Sequence, residues 1–181
     1  MRRHVSLHTA GHHTHGVVGA VACGIAGREE KCRFVTDELG FDACVSHLDD
    51  TLADDLKAAC PDGIDIYFEN VGGKVFEAVL PLLNRGARIS RCGLISQYGN
   101  TDGRDAHEVW LETGKPYFDR CEAQVHGLRV RDYVETYQDR CFAEMAEWIR
   151  EGKVKYREDL WIGLEKAPEA FSAMLQGGNF G

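Results

Sequence analysis

The stretch "CPDGIDIYFENVGGKVFEAVLPLLNRGARISRCGLISQY", residues 60–98, contains two apolar strands joined by a helix. Ile64–Phe68 is apolar almost throughout, which is typical of a strand covered on both faces. Lys74–Leu83 carries apolar side chains at helical spacing, and Gly86 is expected to end that helix. Ala87–Cys92 is predicted as the next strand. This strand–helix–strand order predicts neighbouring strands of a parallel sheet.

The same alternation continues on both sides of this unit. Further strands are predicted at Val21–Ala26, Ala43–Ser46 and Val125–Val130, and further helices at Arg28–Leu39, Thr51–Cys60 and Val134–Glu151. In the last helix, apolar residues recur at helical spacing: Val134, Tyr137, Cys141, Met145, Trp148 and Ile149. The chain is therefore predicted to be an α/β protein with a Rossmann-like, doubly wound parallel sheet.

Composition narrows the class of protein. The chain has 181 residues, a formal net charge of −8 and 44% hydrophobic residues, which suits one globular domain with an appendage. The acidic balance argues against nucleic acid or a membrane surface as partner, since both favour a basic face. No apolar run reaches the ~18 residues of a membrane span, and the N-terminus is a poor signal peptide. Seven cysteines without a C-x-x-C pair predict reduced thiols in a cytoplasmic protein.

The residues that follow each strand are the candidates for function, because ligands bind outside the carboxyl ends of parallel strands. The strand Val21–Ala26 is followed by Gly27, without the acidic residue that would accept both ribose hydroxyls of NAD. Arg28 and Lys31 follow on the next helical turn. A 2′-phosphate is an anion, so it binds where the acidic residue is missing and cations are nearby. NADP is therefore predicted over NAD. The alternative is that both cations are solvated and balanced by neighbouring glutamates.

Two further strand ends carry polar or flexible residues. Asn70 follows Ile64–Phe68 and can hydrogen-bond a ribose or carboxamide, and the Gly72-Gly73 pair lets backbone approach a ligand. A tight turn without a ligand is the alternative for that pair. After the strand Ala87–Cys92, three residues are candidates to line a cofactor cleft: Gly93, Ser96 and Tyr98. Cys92 itself is predicted to be a buried small residue and not a nucleophile.

Four segments carry a family resemblance: "KCRFVTDELGFDACV", residues 60–98, "GKVKYREDLWIGLEKAPEAF" and "GGNFG". They resemble the zinc-independent medium-chain dehydrogenases/reductases, in the branch of NADPH-dependent alkenal/enone double-bond reductases that includes prostaglandin reductases and curcumin-reductase-like enzymes. The resemblance implies hydride delivery from NADPH to the β-carbon of an α,β-unsaturated aldehyde or ketone, without a metal. A small-molecule enone or enal is then the substrate, and a homodimer is compatible with the family.

The resemblance also implies roles for individual residues. Lys31 resembles the family's lysine on the 2′-phosphate, and His47 stands where the family often has a tyrosine near that phosphate. Asn70 resembles the asparagine beside the nicotinamide ribose, and Asn179 a late asparagine that also reaches the cofactor. The remaining cofactor-binding positions are Cys92, Gly93, Leu94, Ile95, Ser96, Gln97, Tyr98, Leu128 and Val130. No catalytic residue is assigned, since the family's active-site tyrosines lie partly in a substrate domain that has no counterpart here.

The N-terminal stretch "LHTAGHHTHGVVGAVACGIAG", residues 7–27, departs from the family, which has a strand, a glycine-rich loop and a long helix before "GIAG". We favour a divergent, disordered leader over residues 1–15. A degenerate phosphate loop at Gly16–Val21 is one alternative, and a metal site is another, its candidate ligands being His8, His12, His13 and His15. The sheet is therefore expected to be incomplete at its first strand, unless Val5–Leu7 or Val17–Val21 fills the gap. An unfilled gap predicts marginal stability.

The expected organisation is the leader 1–15, a partial NADP-binding Rossmann domain over 16–152, and a C-terminal segment 153–181 that returns to a missing substrate domain. The favoured function is the cofactor domain of an NADPH-dependent reductase of α,β-unsaturated aldehydes and ketones. A nucleotide-binding or interaction module without turnover is the second hypothesis. A methyltransferase ranks last, because that class normally has an acid where Ala26 and Gly27 stand.

Overall fold

The computed structural model describes residues 3–6, 21–99 and 103–180. The strands in these residues form one fully parallel sheet of six, in the order β3-β2-β1-β4-β5-β6. Their bounds are β1 Arg3–Ser6, β2 Val21–Ala26, β3 Ala43–Ser46, β4 Ile64–Glu69, β5 Leu83–Arg91 and β6 Gln124–Gly127. The order reverses between β1 and β4, which makes their carboxyl ends the topological switch point of a doubly wound sheet. The predicted Rossmann-like fold is confirmed.

Helices connect the strands. Their bounds are α1 Glu29–Arg33, continued by a π-helical turn at Phe34–Glu38, α2 Leu52–Ala59, α3 Gly73–Val79, α4 Ala106–Cys121, α5 Arg131–Arg150 and α6 Ala167–Leu175. Short 3₁₀ turns lie at Leu80–Leu82, Ile95–Gln97 and Leu164–Lys166. Helix α4 is absent from the sequence-based predictions because Gly114 and Pro116, which ordinarily disfavour helix interiors, lie within it.

The central position of the sheet is occupied by β1. Arg3–Ser6 pairs with β2 on one side, and His4–Ser6 pairs with β4 on the other. The expectation that the sheet is incomplete at its first strand is therefore wrong, and the segment that fills the gap overlaps the candidate Val5–Leu7. Four residues suffice because the strand pairs on both sides, so its backbone hydrogen bonds are divided between β2 and β4. The rest of the segment 1–15 lies outside the described residues.

The boundary between α3 and β5 differs from the prediction. Helix α3 ends at Val79, and β5 begins at Leu83, which the sequence pattern had placed in the helix. The pairing of β4 with β5 shifts register between Ile64 and Ile66. Gly86 lies inside β5 with φ +72°, a left-handed conformation that favours glycine, so it accommodates a strand irregularity and does not end a helix.

Buried residues form two clusters, one on each face of the sheet. The larger cluster includes Cys23 and Ile25 of β2 with residues of α2, α3 and α4, and Phe76 stacks on Trp110 there at 4.6 Å between ring centroids. The smaller cluster contains Ala22 of β2, together with Val35 and Phe41. Alternate residues of β2 thus point to opposite faces, as in any strand covered on both sides.

Helix α5 forms as predicted, but its apolar stripe does not face inward. Within the described residues, none of its side chains is buried. Val134, Tyr137 and Ile149 are exposed, and so is Cys141. Helical periodicity indicates a face that can be covered, and it does not identify what covers it. A search of the described residues finds no helix that is long and apolar enough to cross a membrane.

Candidate functional site

A cleft of about 350 Å³ lies at the carboxyl ends of the strands, within the size range of small-molecule sites. The end of β2, helix α1, the turn after β3 and the loops after β4 and β5 form most of it, and the C-terminal segment closes one side. The lining residues are Gly24, Ile25, Ala26, Gly27, Lys31, Val35, His47, Val71, Ile95, Ser96, Met174, Leu175, Gln176, Gly177, Asn179 and Phe180.

Lys31 supplies a cation to one end of the cleft. Its Nζ donates a hydrogen bond to the carbonyl oxygen of Gly177 at 3.3 Å, which holds the ammonium group toward the C-terminal segment. Burial lowers the pKa of Lys31 from its usual value, Arg28 lowers it further, and Asp159 opposes the change. An ammonium group that is partly desolvated near a second cation favours an anionic ligand.

His47 lies next to this cation. Its backbone N–H donates to the carbonyl oxygen of Ala26 at 2.8 Å, continuing the pairing of β3 with β2 by one residue. The ring lies over Gly27, with Nε2 3.3 Å from the position that a Cβ atom would take there. Burial lowers the pKa of His47, and Lys74 and Lys31 lower it further. Because β2 ends in Ala26 and Gly27, this end of the cleft carries nitrogen donors and no carboxylate from that strand.

The loops that follow β4 and β5 are packed against each other beside the cleft. The carbonyl oxygen of Val71 accepts hydrogen bonds from the Ser96 hydroxyl at 2.5 Å and the Ser96 N–H at 3.1 Å. Gly72 has φ +78°, and a Cβ atom there would lie 3.2 Å from Cδ2 of Leu94. The Gly72 position therefore needs glycine for its backbone conformation and for close loop packing.

A buried carboxylate holds the loop after β4. Glu69 has no exposed surface, and its Oε1 accepts the N–H groups of Val71 at 2.7 Å and Gly72 at 2.9 Å. Its Oε2 accepts the indole N–H of Trp110 at 3.1 Å. Sequence reasoning assigned no role to Glu69. The available signal was an acidic residue directly after the predicted strand Ile64–Phe68.

Residues 174–180 line one side of the cleft and are called the C-terminal wall. Side-chain contacts attach this wall to α1 and to its π-helical continuation. The guanidinium carbon of Arg157 lies 4.5 Å from the ring centroids of both Phe34 and Phe180, and its Nη2 pairs with Glu38 at 2.6 Å. The backbone N–H of Phe180 donates to Asp159 at 2.7 Å. The contacts of Arg157 with Phe34 and Glu38 join segments more than 100 positions apart (Arg157 and Glu38 are separated by 119), and together these contacts place Asn179 in the cleft.

Five of the predicted cofactor-binding residues line this cleft: Lys31, His47, Ile95, Ser96 and Asn179. The others are not among its lining residues: Asn70, Cys92, Gly93, Leu94, Gln97, Tyr98, Leu128 and Val130. Their assignment to a cofactor stays a prediction.

The contacts and exposure of several predicted residues that do not line the cleft are known. Leu94 is buried in the larger cluster, and Asn70 Oδ1 lies 2.6 Å from the position that a Cβ atom of Gly93 would take. Tyr98 is 71% exposed and Val130 is 69% exposed. The predicted burial of Cys92 is wrong, since its side chain is exposed just after the last residue of β5. Strand β5 ends at Arg91, so Cys92 lies in the loop that follows the strand.

Sequence reasoning missed Met174, Leu175 and Gln176 as part of the site, because no local motif marks them and only folding brings them to α1. The candidate metal ligands His8, His12, His13 and His15 lie outside the described residues, and so does most of the candidate phosphate loop Gly16–Val21. Among the residues described, no group of three or more histidine, cysteine or acidic side chains is positioned to hold a metal ion.

Known proteins resemble this chain over most of its length. A family model described as zinc-binding dehydrogenase matches residues 39–181. The NADPH-dependent curcumin reductase of Escherichia coli (strain K12) is 45% identical over 170 residues, which are 90% of this chain and 47% of that protein. The NADP(+)-dependent 2-alkenal reductase of Nicotiana tabacum is 37% identical over 167 residues, 91% of this chain and 46% of the relative.

A solved structure agrees with these relatives. CurA from Vibrio vulnificus, in complex with NADPH, matches with a TM-score of 0.88 and 41% identity, covering 99% of this chain and 55% of CurA. The chain thus spans about half the length of the proteins that it matches. It belongs to the zinc-binding dehydrogenase family, in the alkenal and enone reductase branch of the medium-chain dehydrogenases/reductases that its motifs resemble.

Proposed function

We propose that this chain is the NADPH-binding part of an oxidoreductase that reduces the C=C bond of α,β-unsaturated aldehydes and ketones. The observation that carries the proposal is the cationic end of the cleft. Lys31 and His47 meet there beside a β2 strand that ends without a carboxylate. The relatives named as NADPH-dependent curcumin reductase and NADP(+)-dependent 2-alkenal reductase support the same cofactor and reaction class.

The residues of the cleft fit this cofactor. Lys31 and His47 would hold the 2′-phosphate, which needs charge-assisted donors and no carboxylate at the end of β2. Gly27 lacks a side chain beside His47, where a nucleotide would approach the end of β2, whereas Gly24 leaves room for Val35 and Phe41 of the smaller cluster. Ser96 and Asn179 offer polar groups on the two other sides of the cleft. When bound, NADPH supplies the hydride, and the contribution of these residues is to bind and orient it.

The relatives are about twice as long as this chain, and the proposal extends to a whole protein of that kind. We propose residues 16–152, together with β1, as the NADP-binding domain and residues 153–181 as the segment that leads to a substrate domain. The substrate is an enone or enal, the location is the cytoplasm, and the assembly is a homodimer. No catalytic residue is proposed for this chain.

A nucleotide-binding or interaction module without turnover is the second candidate. It is supported by the cleft itself, whose described lining residues include cofactor-binding candidates but none to which a catalytic role is assigned. The two candidates share the cofactor cleft and differ in whether bound NADPH is oxidised by an enone.

Calorimetric titration of the purified chain with NADPH, and with NADH as control, tests the proposal. We expect tighter binding of NADPH, and we expect Lys31→Ala to weaken NADPH by about tenfold while leaving NADH nearly unchanged, because one charge-assisted contact is removed. Lys57→Ala, an exposed lysine on α2, is the matched control. Equal loss for both nucleotides would remove Lys31 from the 2′-phosphate role.

Turnover is then measured with an α,β-unsaturated ketone by the loss of nicotinamide absorbance. NADPH binding with enone-dependent oxidation supports the reductase. Binding without oxidation by the folded chain supports the module, and no binding of either nucleotide would contradict both.

A further inference from the structure

His47 has an environment that makes its charge sensitive to a bound phosphate. The ring packs over Gly27, lines the cleft with Lys31 and is only partly exposed to solvent. A neutral imidazole can give one hydrogen bond to an anion, whereas a protonated imidazole gives that bond together with a positive charge. The charge state of His47 therefore decides how strongly this end of the cleft attracts a phosphate.

We propose that His47 is a specificity-determining residue whose protonation strengthens binding of the 2′-phosphate, so that discrimination of NADP⁺ from NAD⁺ increases as the pH falls below neutral. This inference rests on the proposed function and deepens it, since it names the group through which the same site senses pH.

The charges around His47 give the direction of the effect. Lys31 from α1 and Lys74 from α3 both disfavour its protonation, and burial acts in the same direction, so its pKa lies below the ordinary 6.5 in the free protein. Asp159, on the C-terminal segment, is the negative charge that raises the pKa of Lys31. Its Oδ2 accepts a hydrogen bond from the backbone N–H of Phe180 at 2.7 Å. A phosphate dianion between Lys31 and His47 would reverse the local balance of charge and raise the pKa of His47.

The sign of the pH dependence follows from that change. Because the pKa is higher in the complex than in the free protein, the extra affinity is fully present below the free-state pKa and is lost as the pH rises through the bound-state pKa. A shift of about one pKa unit on binding corresponds to about a tenfold change in affinity. The 2′-phosphate titrates near pH ~6 and loses charge in acid, which weakens binding and acts in the opposite direction.

Titration calorimetry with NADP⁺ and NAD⁺ at several pH values between about 6 and 8 tests the inference, with His47→Gln as the variant. Glutamine keeps a hydrogen-bond donor but cannot be protonated in this range. His126→Gln is the matched control, since His126 is exposed on β6, at the opposite edge of the sheet from β3. Oxidised nucleotides are used because NADPH decomposes in acid.

The wild-type chain is expected to increase its preference for NADP⁺ over NAD⁺ by about three- to tenfold from pH ~8 to pH ~6.5. Titrations in buffers of different ionisation enthalpy should show net proton uptake with NADP⁺ and none with NAD⁺. His47→Gln should abolish both effects, and His126→Gln should preserve both. Equal pH dependence in His47→Gln and the wild type would overturn the inference.

A second measurement does not depend on how the variant folds. The imidazole signals of the wild-type chain are titrated by nuclear magnetic resonance with and without each nucleotide. The pKa of His47 should rise when NADP⁺ is added and stay constant when NAD⁺ is added. If NADP⁺ binds but leaves that pKa unchanged, the inference fails while the proposed function stands. If NADP⁺ does not bind at any pH, the proposed function fails as well.

Discussion

Glu69→Gln is expected to destabilise the fold by removing the charge that anchors the loop after β4. Glu69 is fully buried and accepts three N–H groups, two from the backbone of Val71 and Gly72 and one from the Trp110 indole. Glutamine has the same shape, but its amide nitrogen cannot accept a hydrogen bond. At least one of the three donors must lose its acceptor, and the remaining bonds become neutral.

The magnitude follows from these contacts. A buried donor without an acceptor costs about 1–3 kcal/mol, and hydrogen bonds to a charged group contribute more than neutral ones. A neutral amide is easier to bury than a carboxylate, which offsets part of this loss. The three accepted bonds outweigh that offset, so we expect the free energy of unfolding to fall by about 2–4 kcal/mol. For a domain of this size, that corresponds to a Tm lower by about 5–15 °C.

Thermal and urea unfolding followed by far-ultraviolet circular dichroism provide the measurement. Glu77→Gln, which makes the same chemical change on the exposed side of α3, is the matched control and should leave Tm nearly unchanged. Trp110→Phe removes one donor to the carboxylate. The double variant with Glu69→Gln should lose less than the sum of the single losses, because both substitutions break the same bond.

Two results would refute this reasoning. One is a Glu69→Gln variant with the stability of the wild type, which would mean that the carboxylate contributes nothing net to the fold. The other is strict additivity in the double variant, which would mean that the Glu69–Trp110 hydrogen bond is not formed in solution.

Two further substitutions test the packing of α4 and the attachment of the C-terminal wall. Gly114→Ala should lower the free energy of unfolding by about 1–3 kcal/mol, measured by urea unfolding, because its Cβ atom would lie 2.9 Å from Cζ of Phe76. The better helix propensity of alanine acts in the opposite direction but is smaller. Unchanged or increased stability would contradict the close packing. Arg157→Ala should speed limited proteolysis of the C-terminal segment and weaken both NADP⁺ and NAD⁺ in calorimetry, because the guanidinium between Phe34 and Phe180 holds the segment that lines one side of the cleft. Unchanged proteolysis and unchanged affinity for both nucleotides would contradict this role.

The strand and helix pattern was largely readable from local sequence. The prediction of Ala43–Ser46 as a strand is confirmed at both ends, and the apolar stripe of α3 is buried as predicted. Boundaries were less accurate where two apolar elements follow each other closely. At Leu83 the helix and strand patterns are both satisfied, and pairing with β4 decides in favour of the strand.

The central strand shows a different limit of sequence reasoning. Arg3–Ser6 has few strong strand formers, and its apolar content is too short to be recognised by periodicity. Its position between β2 and β4 gives it hydrogen-bond partners on both sides. Strand formation is therefore determined by its neighbours and not by its own propensity.

The parallel α/β fold, which the structure confirms, and the prediction of a 2′-phosphate near Lys31 were readable from apolar runs and from the residues at strand ends. His47 and Asn179 were expected at the site through the family resemblance alone. Which residues share the cleft depends on the folded chain. It brings the C-terminal segment 174–180 onto α1 through Arg157 and Phe180, while it leaves Tyr98 and Val130 facing solvent. Such contacts depend on packing between distant segments, which local patterns do not encode.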